Sequence, residues 1–304
     1  MMIVVRLEGG LGNQLFQLSH GLALQKKYAG TLMFDRRHIR NIPDRSDVLY
    51  HVTDLKYDGF VNRLISVFLG FYSTMCIRVV HRVYGRCDAA SKVLSAIGVY
   101  HSDTTRYRKL HKPSMLPFVY LHGNWMSERY FDFAVDRVRS TILTQGLIGK
   151  KFLGLAKEIS VTNSVAVHIR RGDYLSDEWR EKLDVCDGSY YSRAVDTIID
   201  KLESPVFYIF TNTNEDSIWI RDNYKFFPKN TVFVEPADSD LEHFALMVAC
   251  DHFILANSTF SWWASYLSLN DKKVVVAPSR WNREVWDMQD LFLSEWTIVN
   301  INPS

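Results

Sequence analysis

Two adjacent arginines follow a predicted buried strand and are the first candidates for chemistry. Residues 165–174 read V-A-V-H-I-R-R-G-D-Y, and the apolar run predicts a parallel strand buried in a sheet. In an open α/β sheet, ligands bind outside the carboxyl ends of the strands, where Arg170 and Arg171 would lie. The planar guanidinium group matches the geometry of phosphate. A solvated strand end with a surface salt bridge is the simpler alternative.

A second polar turn follows another predicted strand. Residues 254–263 read I-L-A-N-S-T-F-S-W-W, which predicts a strand, a turn and the start of a helix. Asn257, Ser258 or Thr259 would cap that helix, whose N–H groups and dipole favour an anion. A plain N-cap explains this turn when it is taken alone. Because both turns follow parallel strands of one sheet, we expect them to meet and clamp a nucleotide diphosphate.

A glycine-rich turn joins the first predicted strand, residues 2–7, to a predicted helix over 15–29. Gly10 and Gly12 lie in the strand–turn–helix context that binds phosphates. Leu15, however, occupies the third glycine position of the dinucleotide fingerprint. A tight turn without a ligand therefore explains this motif equally well.

An Asp-x-Asp pattern at Asp238 and Asp240 admits two interpretations. Such pairs hold a divalent metal in many sugar transferases. Ser239 and Glu242 also form a capping box ahead of an apolar helix. We favour the cap, with Asp240 or Glu242 accepting hydrogen bonds from a base such as guanine. His168 is expected to point out of its strand beside the arginines, and the histidines form no metal-ligand set.

Composition restricts the broad class of protein. The 304 residues are 47% hydrophobic and 23% charged, as in an ordinary globular protein, with a net charge of +2. Residues 1–120 carry 17 basic and 8 acidic side chains, which indicates an anionic neighbour such as a membrane surface. No lysine cluster with interleaved aromatic residues indicates nucleic acid binding. Four cysteines without C-x-x-C spacing, and a first strand with no signal peptide before it, predict a cytoplasmic protein.

Strands and helices alternate through the second half, which predicts a doubly wound α/β domain with parallel strands. We place one domain at 1–150 and another at 151–304, with a helical insertion at about 36–118. Within the insertion, residues 59–86 combine basic and aromatic side chains on one or two helices. Packing on the first domain is the favoured interpretation, and peripheral contact with the inner membrane surface is the alternative. The longest apolar run, 64–77, is short for a membrane span.

Four motifs together resemble those of one family. They are G-G-L-G-N-Q-L-F-Q at 9–17, H-I-R-R-G-D-Y at 168–174, F-T-N at 210–212 and L-M-V-A-C-D-H-F-I-L-A-N-S-T-F-S-W-W-A-S-Y-L at 246–267. They are similar to the signatures of glycosyltransferase family 11, the α-1,2-fucosyltransferases. The resemblance implies two Rossmann-like domains facing across a cleft, the GT-B type. It also implies GDP-fucose as the donor, inversion at the fucose anomeric carbon, and neither a metal nor another cofactor.

The resemblance also assigns roles to residues. Arg170 would contact the donor diphosphate and act in catalysis, with His168 and Arg171 supporting it. The other expected donor-binding residues lie in the polar turns of the second domain and in the glycine-rich turn, which would approach the donor across the cleft: Asn212, Asp240, Asn257, Ser258, Thr259, Phe260, Gly10, Gly12, Asn13 and Gln14. Thr213 departs from the family pattern, which usually has an acidic residue there. Asp216 is a displaced candidate for that acidic residue.

The expected reaction needs a base that takes a proton from an acceptor hydroxyl, whose oxygen then attacks fucose C1. We predict Asp173 as this base; orientation of Arg170 is its alternative role, and Glu8 is the rival base. The favoured function is α-1,2 transfer of fucose to a terminal galactose of a surface-polysaccharide or O-antigen oligosaccharide. The alternatives are a transferase of another GDP-sugar or linkage, and an inactive nucleotide-sugar- or glycan-binding protein.

Overall fold

The computed structural model describes the chain except for residues 41, 43–47, 56–58, 103–105, 111–115, 143, 145, 172–179, 238, 284–287 and 302–304. The protein divides into two compact α/β units. Unit 1 comprises Met1–Leu143 and Gln289–Leu291, and unit 2 comprises Thr144–Met288 and Phe292–Ser304. The chain therefore enters unit 1 a second time, late in the sequence, for three residues.

Unit 1 is built on a parallel sheet with the strand order β2-β1-β4-β3. The strands are β1 (Met2–Arg6), β2 (Thr31–Asp35), β3 (Val99–Ser102) and β4 (Phe118–Gly123). The helices are α1 (Leu11–Tyr28), α2 (Val48–His51), α3 (Phe60–Tyr84), α4 (Asp88–Ala96) and α5 (Val135–Thr141).

Neighbouring side chains of β1 pack against helices on opposite faces of this sheet. Val4 lies in an apolar cluster with Tyr120 of β4 and Leu69 of α3. Val5 faces α1, where a Cβ on Gly21 would lie 2.6 Å from its Cγ2 atom. Because side chains alternate along a strand, α1 and α3 cover opposite faces. This is the doubly wound arrangement, and it leaves the carboxyl ends of the strands at one edge.

The segment 36–118 carries the expected helices and, in addition, the edge strand β3. The sequence V-Y-H-S of β3 is short and half polar, so it gives no apolar run that would predict a strand. Helix α3 extends well beyond the apolar run 64–77. Among the described residues, α3 is the helix with the length and composition to cross a membrane, and 33% of its most apolar window is buried in the protein.

Unit 2 contains a parallel sheet with the strand order β10-β9-β8-β5-β6-β7. The strands are β5 (Ser164–His168), β6 (Val206–Phe210), β7 (Val232–Phe233), β8 (His252–Ile254), β9 (Val275–Pro278) and β10 (Thr297–Val299). The helices are α6 (Leu153–Val161), α7 (Arg180–Leu183), α8 (Gly188–Lys201), α9 (Asn214–Asn223), α10 (Asp240–Val248) and α11 (Thr259–Leu267). The architecture confirms the predicted pair of α/β, Rossmann-like domains.

Strand β5 lies in the middle of the unit 2 sheet, and all five of its residues are buried. It pairs in parallel with β6 on one side and with β8 on the other. The carboxyl ends of these three strands therefore lie at the same sheet edge. The polar turns that follow them are brought together there, as the sequence predicts.

Candidate functional site

Arg170 and Ser258 meet at the carboxyl edge of the unit 2 sheet. Arg170 follows β5 and donates a hydrogen bond from Nη1 to Ser258 Oγ over 3.3 Å. Ser258 is the N-cap of α11, and its Oγ also accepts from the backbone N–H of Phe260. Thr259 is the first residue of the helix. The contact places a guanidinium charge beside the positive end of a helix dipole, an arrangement that favours an anion.

Arg171 is held by a different helix. Its Nε lies 3.5 Å from Asp216 Oδ1, and its Cζ lies 3.3 Å from the centre of the Trp219 ring. An ion pair and a cation–π contact with α9 thus orient this guanidinium group. The two adjacent arginines therefore have separate partners, Arg170 on α11 and Arg171 on α9.

Thr213, the departure from the family pattern, is the N-cap of α9. Its Oγ1 accepts a hydrogen bond from the backbone N–H of Asp216 over 3.1 Å. The Asp216 carboxylate in turn faces Arg171. Asp216 thus lies three residues after Thr213, the position where the family usually has an acidic residue, and it pairs with Arg171. Asn212 precedes the cap and is exposed.

Asn257 has a structural role that the sequence does not predict. Its Nδ2 donates to the carbonyl oxygens of Leu183 at 2.9 Å and Trp281 at 2.8 Å. Its Oδ1 accepts from the Cys186 thiol, whose pKa is raised by burial. The side-chain amide therefore holds the end of α7 and the segment at Trp281 in place, rather than being directed at a phosphate as expected.

His168 lies at the end of β5 and is buried, with 7% of its surface exposed. Its ring centre lies 5.8 Å from that of Phe260, which contacts Phe244 of α10 at 5.2 Å. The Tyr191 hydroxyl donates to the His168 carbonyl oxygen over 3.0 Å. His168 lies next to the arginines in the sequence, as expected. Its imidazole, however, packs in an aromatic layer with Phe260 and Phe244.

The acidic segment before α10 is a helix start whose cap differs from the expected box. Ser239 is the N-cap, as predicted, but its Oγ accepts from the N–H of Leu241. Glu242 does not complete the box, because its Oε1 accepts from the backbone N–H of Gly149 over 2.9 Å. Of the two carboxylates expected to accept hydrogen bonds from a base, Glu242 is thus engaged within the fold, whereas Asp240 is exposed. Asp238 lies outside the described residues.

Asp173, the predicted base, lies outside the described residues. Within the described ranges, no group of three or more His, Cys, Asp or Glu side chains is arranged to hold a metal ion.

The glycine-rich turn of unit 1 is fixed by two glutamines of α1. Gln17 is fully buried; its Oε1 accepts from the Glu8 N–H, and its Nε2 donates to the Glu8 carbonyl oxygen. Gln14 Nε2 donates to the carbonyl oxygen of Gly9, which has φ +78°. A Cβ at Gly9 would lie 2.4 Å from Asn13 Nδ2, so glycine is required there on both grounds.

Helix α1 begins without a side-chain cap. Gly10 is its N-cap residue and has extended backbone angles, and a Cβ at this position would meet no atom within 4 Å. Gly12 and Asn13 lie in the first turn of the helix. The open space and the uncapped first turn fit a ligand role for this turn, although Gln14 is buried and acts on the turn itself.

A polar cluster at the carboxyl edge of the unit 1 sheet is absent from the sequence prediction. Arg6, the last residue of β1, pairs with Glu8 at 2.9 Å, and its Nη1 lies 3.5 Å from His122 Nδ1 on β4. The His122 ring lies 5.1 Å from that of His101 on β3. Burial and the charge of Arg6 lower the pKa of His122 to about 3. The available signal was the position of Arg6 near the end of the first predicted strand, and of His122 near the end of the apolar run 118–123, which also predicts a strand.

Comparison with known proteins places these features in a family. The family model described as "Glycosyl transferase family 11" matches residues 2–300. The chain is 29% identical to an alpha-1,2-colitosyltransferase of Escherichia coli over 98% of each chain. It is 27% identical to galactoside alpha-(1,2)-fucosyltransferase 1 of Sus scrofa over 62% of this chain and 54% of the relative. The structure of Arabidopsis thaliana FUT1 in complex with GDP is similar, with a TM-score of 0.50 at 12% identity over 90% of this chain and 69% of that one, which shows the fold alone.

Proposed function

The chain belongs to glycosyl transferase family 11, and on that premise we propose that it transfers L-fucose from GDP-fucose to the 2-hydroxyl of a terminal galactose. The observation that carries the donor assignment is the hydrogen bond between Arg170 and the N-cap Ser258 of α11. A guanidinium group and a helix N-terminus at one point of a sheet edge suit the diphosphate of a nucleotide sugar.

The reaction proceeds with inversion and without a metal ion. A base takes the proton from the galactose 2-hydroxyl, and that oxygen attacks fucose C1 while the bond from C1 to the phosphate oxygen breaks. Negative charge develops on the departing GDP. Arg170 and the N-terminus of α11 stabilise that charge, which supplies the electrostatic part of the catalysis.

Two carboxylates compete for the role of the base. Asp173 follows the arginines by two residues and is our assignment. Glu8 is the alternative, because it follows β1 at the carboxyl edge of the unit 1 sheet and its backbone is fixed by Gln17. Its carboxylate pairs with the guanidinium group of Arg6 at 2.9 Å.

We assign the remaining parts of the donor site from the family membership and from the chemistry of the side chains. Thr259 and the N-terminus of α11 contact phosphate oxygens, and Asp240 accepts hydrogen bonds from guanine. Arg171, which pairs with Asp216 of α9, and His168, which packs on Phe260, help to position this surface. We place the reaction in the cytoplasm, since all four cysteines are free thiols, as in a reducing compartment.

Colitose is the second candidate for the transferred sugar. The relative that matches over 98% of both chains is an alpha-1,2-colitosyltransferase, whereas the fucosyltransferase of Sus scrofa matches a smaller part of its own length. In both cases the proposed linkage is α-1,2, and the diphosphate site serves either donor.

The test is turnover of GDP-fucose and GDP-colitose against a panel of galactose-terminated oligosaccharides, with and without EDTA, with the product linkage read by NMR. We expect an α-1,2-linked product from GDP-fucose at a rate that EDTA leaves unchanged. If the protein prefers GDP-colitose, the donor is GDP-colitose instead of GDP-fucose, and the proposed α-1,2 linkage is unchanged. Inhibition by EDTA would overturn the metal-free mechanism, and GDP binding without turnover of either donor would favour an inactive binding protein.

A further inference from the structure

Helix α3 presents a continuous apolar stripe to solvent. Eight large side chains along it are 55–74% exposed, and from Val61 onward their spacing of three or four residues places them on one face: Phe60, Val61, Leu64, Phe68, Phe71, Met75, Val79 and Val83. The helix is 25 residues long, which is about 37 Å. Soluble monomers rarely expose a contiguous apolar surface of this extent, and such surfaces mark sites of interaction.

The opposite face of α3 is already packed. Its buried residues include Leu69, which joins the apolar cluster of the unit 1 sheet, and Cys76 and Val80, which pack with α4. Small residues such as Gly70 and Ser73 are buried on this face and allow close approach. The helix is therefore packed on unit 1 through its other face. The exposed stripe is a separate surface, and the packing of the unit does not require it to be covered.

Helix α3 itself carries charge of only one sign. The helix contains no aspartate or glutamate, and Arg78 and Arg82 are exposed toward its C-terminal end. At its N-terminal half, Arg63 lines a cavity with Arg36, Arg37 and Arg40 of the segment after β2.

This arginine pocket adjoins the apolar stripe. The Arg37 guanidinium lies 4.5 Å from the centre of the Phe71 ring, while its other contacts go to Asp35. Asp35 also accepts a hydrogen bond from the Tyr120 hydroxyl at 2.6 Å, so its carboxylate is engaged within the fold. The described part of the pocket thus offers several guanidinium groups beside exposed aromatic carbon.

We propose that α3 docks this protein on an anionic phospholipid bilayer, with the apolar stripe at the boundary of headgroups and acyl chains and the flanking arginines on lipid phosphates. A helix that lies in the interface needs an apolar face bordered by basic residues, which α3 provides. A second copy is the less suitable occupant, because pairing two α3 helices would bring together two surfaces that carry only positive charge. The proposal does not depend on the sugar that is transferred.

The test is flotation of the full chain with vesicles of phosphatidylcholine alone or with about 30% phosphatidylglycerol, a fraction that gives a strongly anionic surface. A stripe variant combines Leu64→Ser, Phe68→Ser and Met75→Ser. A matched control combines Val161→Ser and Leu269→Ser, which change two apolar side chains of unit 2 that are 75% and 84% exposed. A charge variant combines Arg78→Gln and Arg82→Gln. Thermal unfolding establishes that each variant is folded.

We expect the wild-type chain to float with anionic vesicles and to be released by high salt. The stripe variant should partition at least about tenfold more weakly, since several buried CH₂ equivalents are lost. The charge variant should lose about fivefold for each arginine and show a weaker salt dependence. The control should bind like the wild type.

Three results would overturn the proposal. The first is no flotation of the wild-type chain with anionic vesicles, and the second is equal flotation of the folded stripe variant. The third is a dimer in light scattering that the stripe variant dissociates, because a second copy would then cover the stripe.

Discussion

Arg170 and Arg171 are adjacent in sequence but contact different helices. Because successive residues leave a strand in different directions, one guanidinium group reaches Ser258 and the other reaches Asp216. The sequence predicts both arginines at the sheet edge, since residue type and strand position suffice for that. It does not predict their partners, because these depend on where α9 and α11 begin.

Replacement of Arg170 tests the electrostatic part of the mechanism. We expect Arg170→Ala to lower kcat by about 10²–10³-fold, since it removes one preformed charge at the departing diphosphate. The measurement is steady-state turnover of the donor, with folding followed by circular dichroism. Arg221→Ala is the matched control, because that guanidinium stacks on Phe233 of unit 2 and is exposed. Equal loss in the two variants would remove Arg170 from the catalytic site.

Asn257 shows why a residue in a motif need not contact the ligand. Its position in N-S-T before a helix suits either a phosphate contact or a cap, and the sequence alone does not separate these from loop anchoring. The two carbonyl oxygens that it binds belong to residues 74 and 24 positions away. Contacts of that range follow from the tertiary fold and have no local pattern.

Removal of the Asn257 amide should therefore act on stability. We expect Asn257→Ala to lower the free energy of unfolding by about 2–4 kcal/mol, because two carbonyl oxygens lose their donors in a buried site. Urea unfolding measures this change. Asn223→Ala, at an exposed position of α9, should change stability by less than about 0.5 kcal/mol. Loss of donor affinity with unchanged unfolding would instead identify Asn257 as a phosphate ligand.

At the scale of elements, long apolar or periodic segments are predictable, whereas two of the short edge strands are not. The apolar runs at 31–35 and 206–210 predict strands, and these coincide with β2 and β6. The edge strands β3 and β10 are missing from the prediction, because they are three or four residues long and partly exposed. The start of α1 is also earlier than predicted, since the helix begins directly after its uncapped N-cap glycine.

The glycine-rich turn before α1 depends on Gln17. We expect Gln17→Leu to leave the Glu8 N–H and carbonyl groups without partners, and so to increase local opening of the turn. Hydrogen exchange of a peptide covering residues 8–14 should become about 5–150-fold faster, which corresponds to a loss of about 1–3 kcal/mol. Gln25→Leu, in the last part of the same helix, is the control. Unchanged exchange in the Gln17 variant would show that the turn is held by other contacts.

At the scale of the whole molecule, stability depends on pH through a buried histidine. His20 of α1 is 1% exposed, and its ring lies 4.4 Å from that of Trp125 and 4.9 Å from that of Tyr130. Burial lowers the pKa of His20 to about 3, from the ordinary histidine value of about 6.5. The unfolded chain therefore binds a proton between these pH values while the folded chain does not, and stability falls as the pH is lowered through this range.

Substitution of His20 isolates this contribution. Between pH 7.5 and 5.5, we expect the wild-type chain to lose about 1.4 kcal/mol more unfolding free energy than His20→Leu, because leucine does not titrate. Urea unfolding at the two pH values provides the comparison. His51→Leu, at an exposed position in the same unit, serves as the control and should behave like the wild type. A His20→Leu chain with the wild-type pH dependence would contradict the assignment.

The late return of the chain to unit 1 has a consequence for chimeric enzymes. Asp290 accepts a hydrogen bond from the Tyr107 backbone N–H and pairs with Arg129 at 2.7 Å, so residues 289–291 are part of unit 1. A single crossover near position 143 would leave this short segment with the other parent and would combine Arg129 and residue 290 from different sources. Exchange of unit 1 between relatives therefore requires a second, three-residue graft.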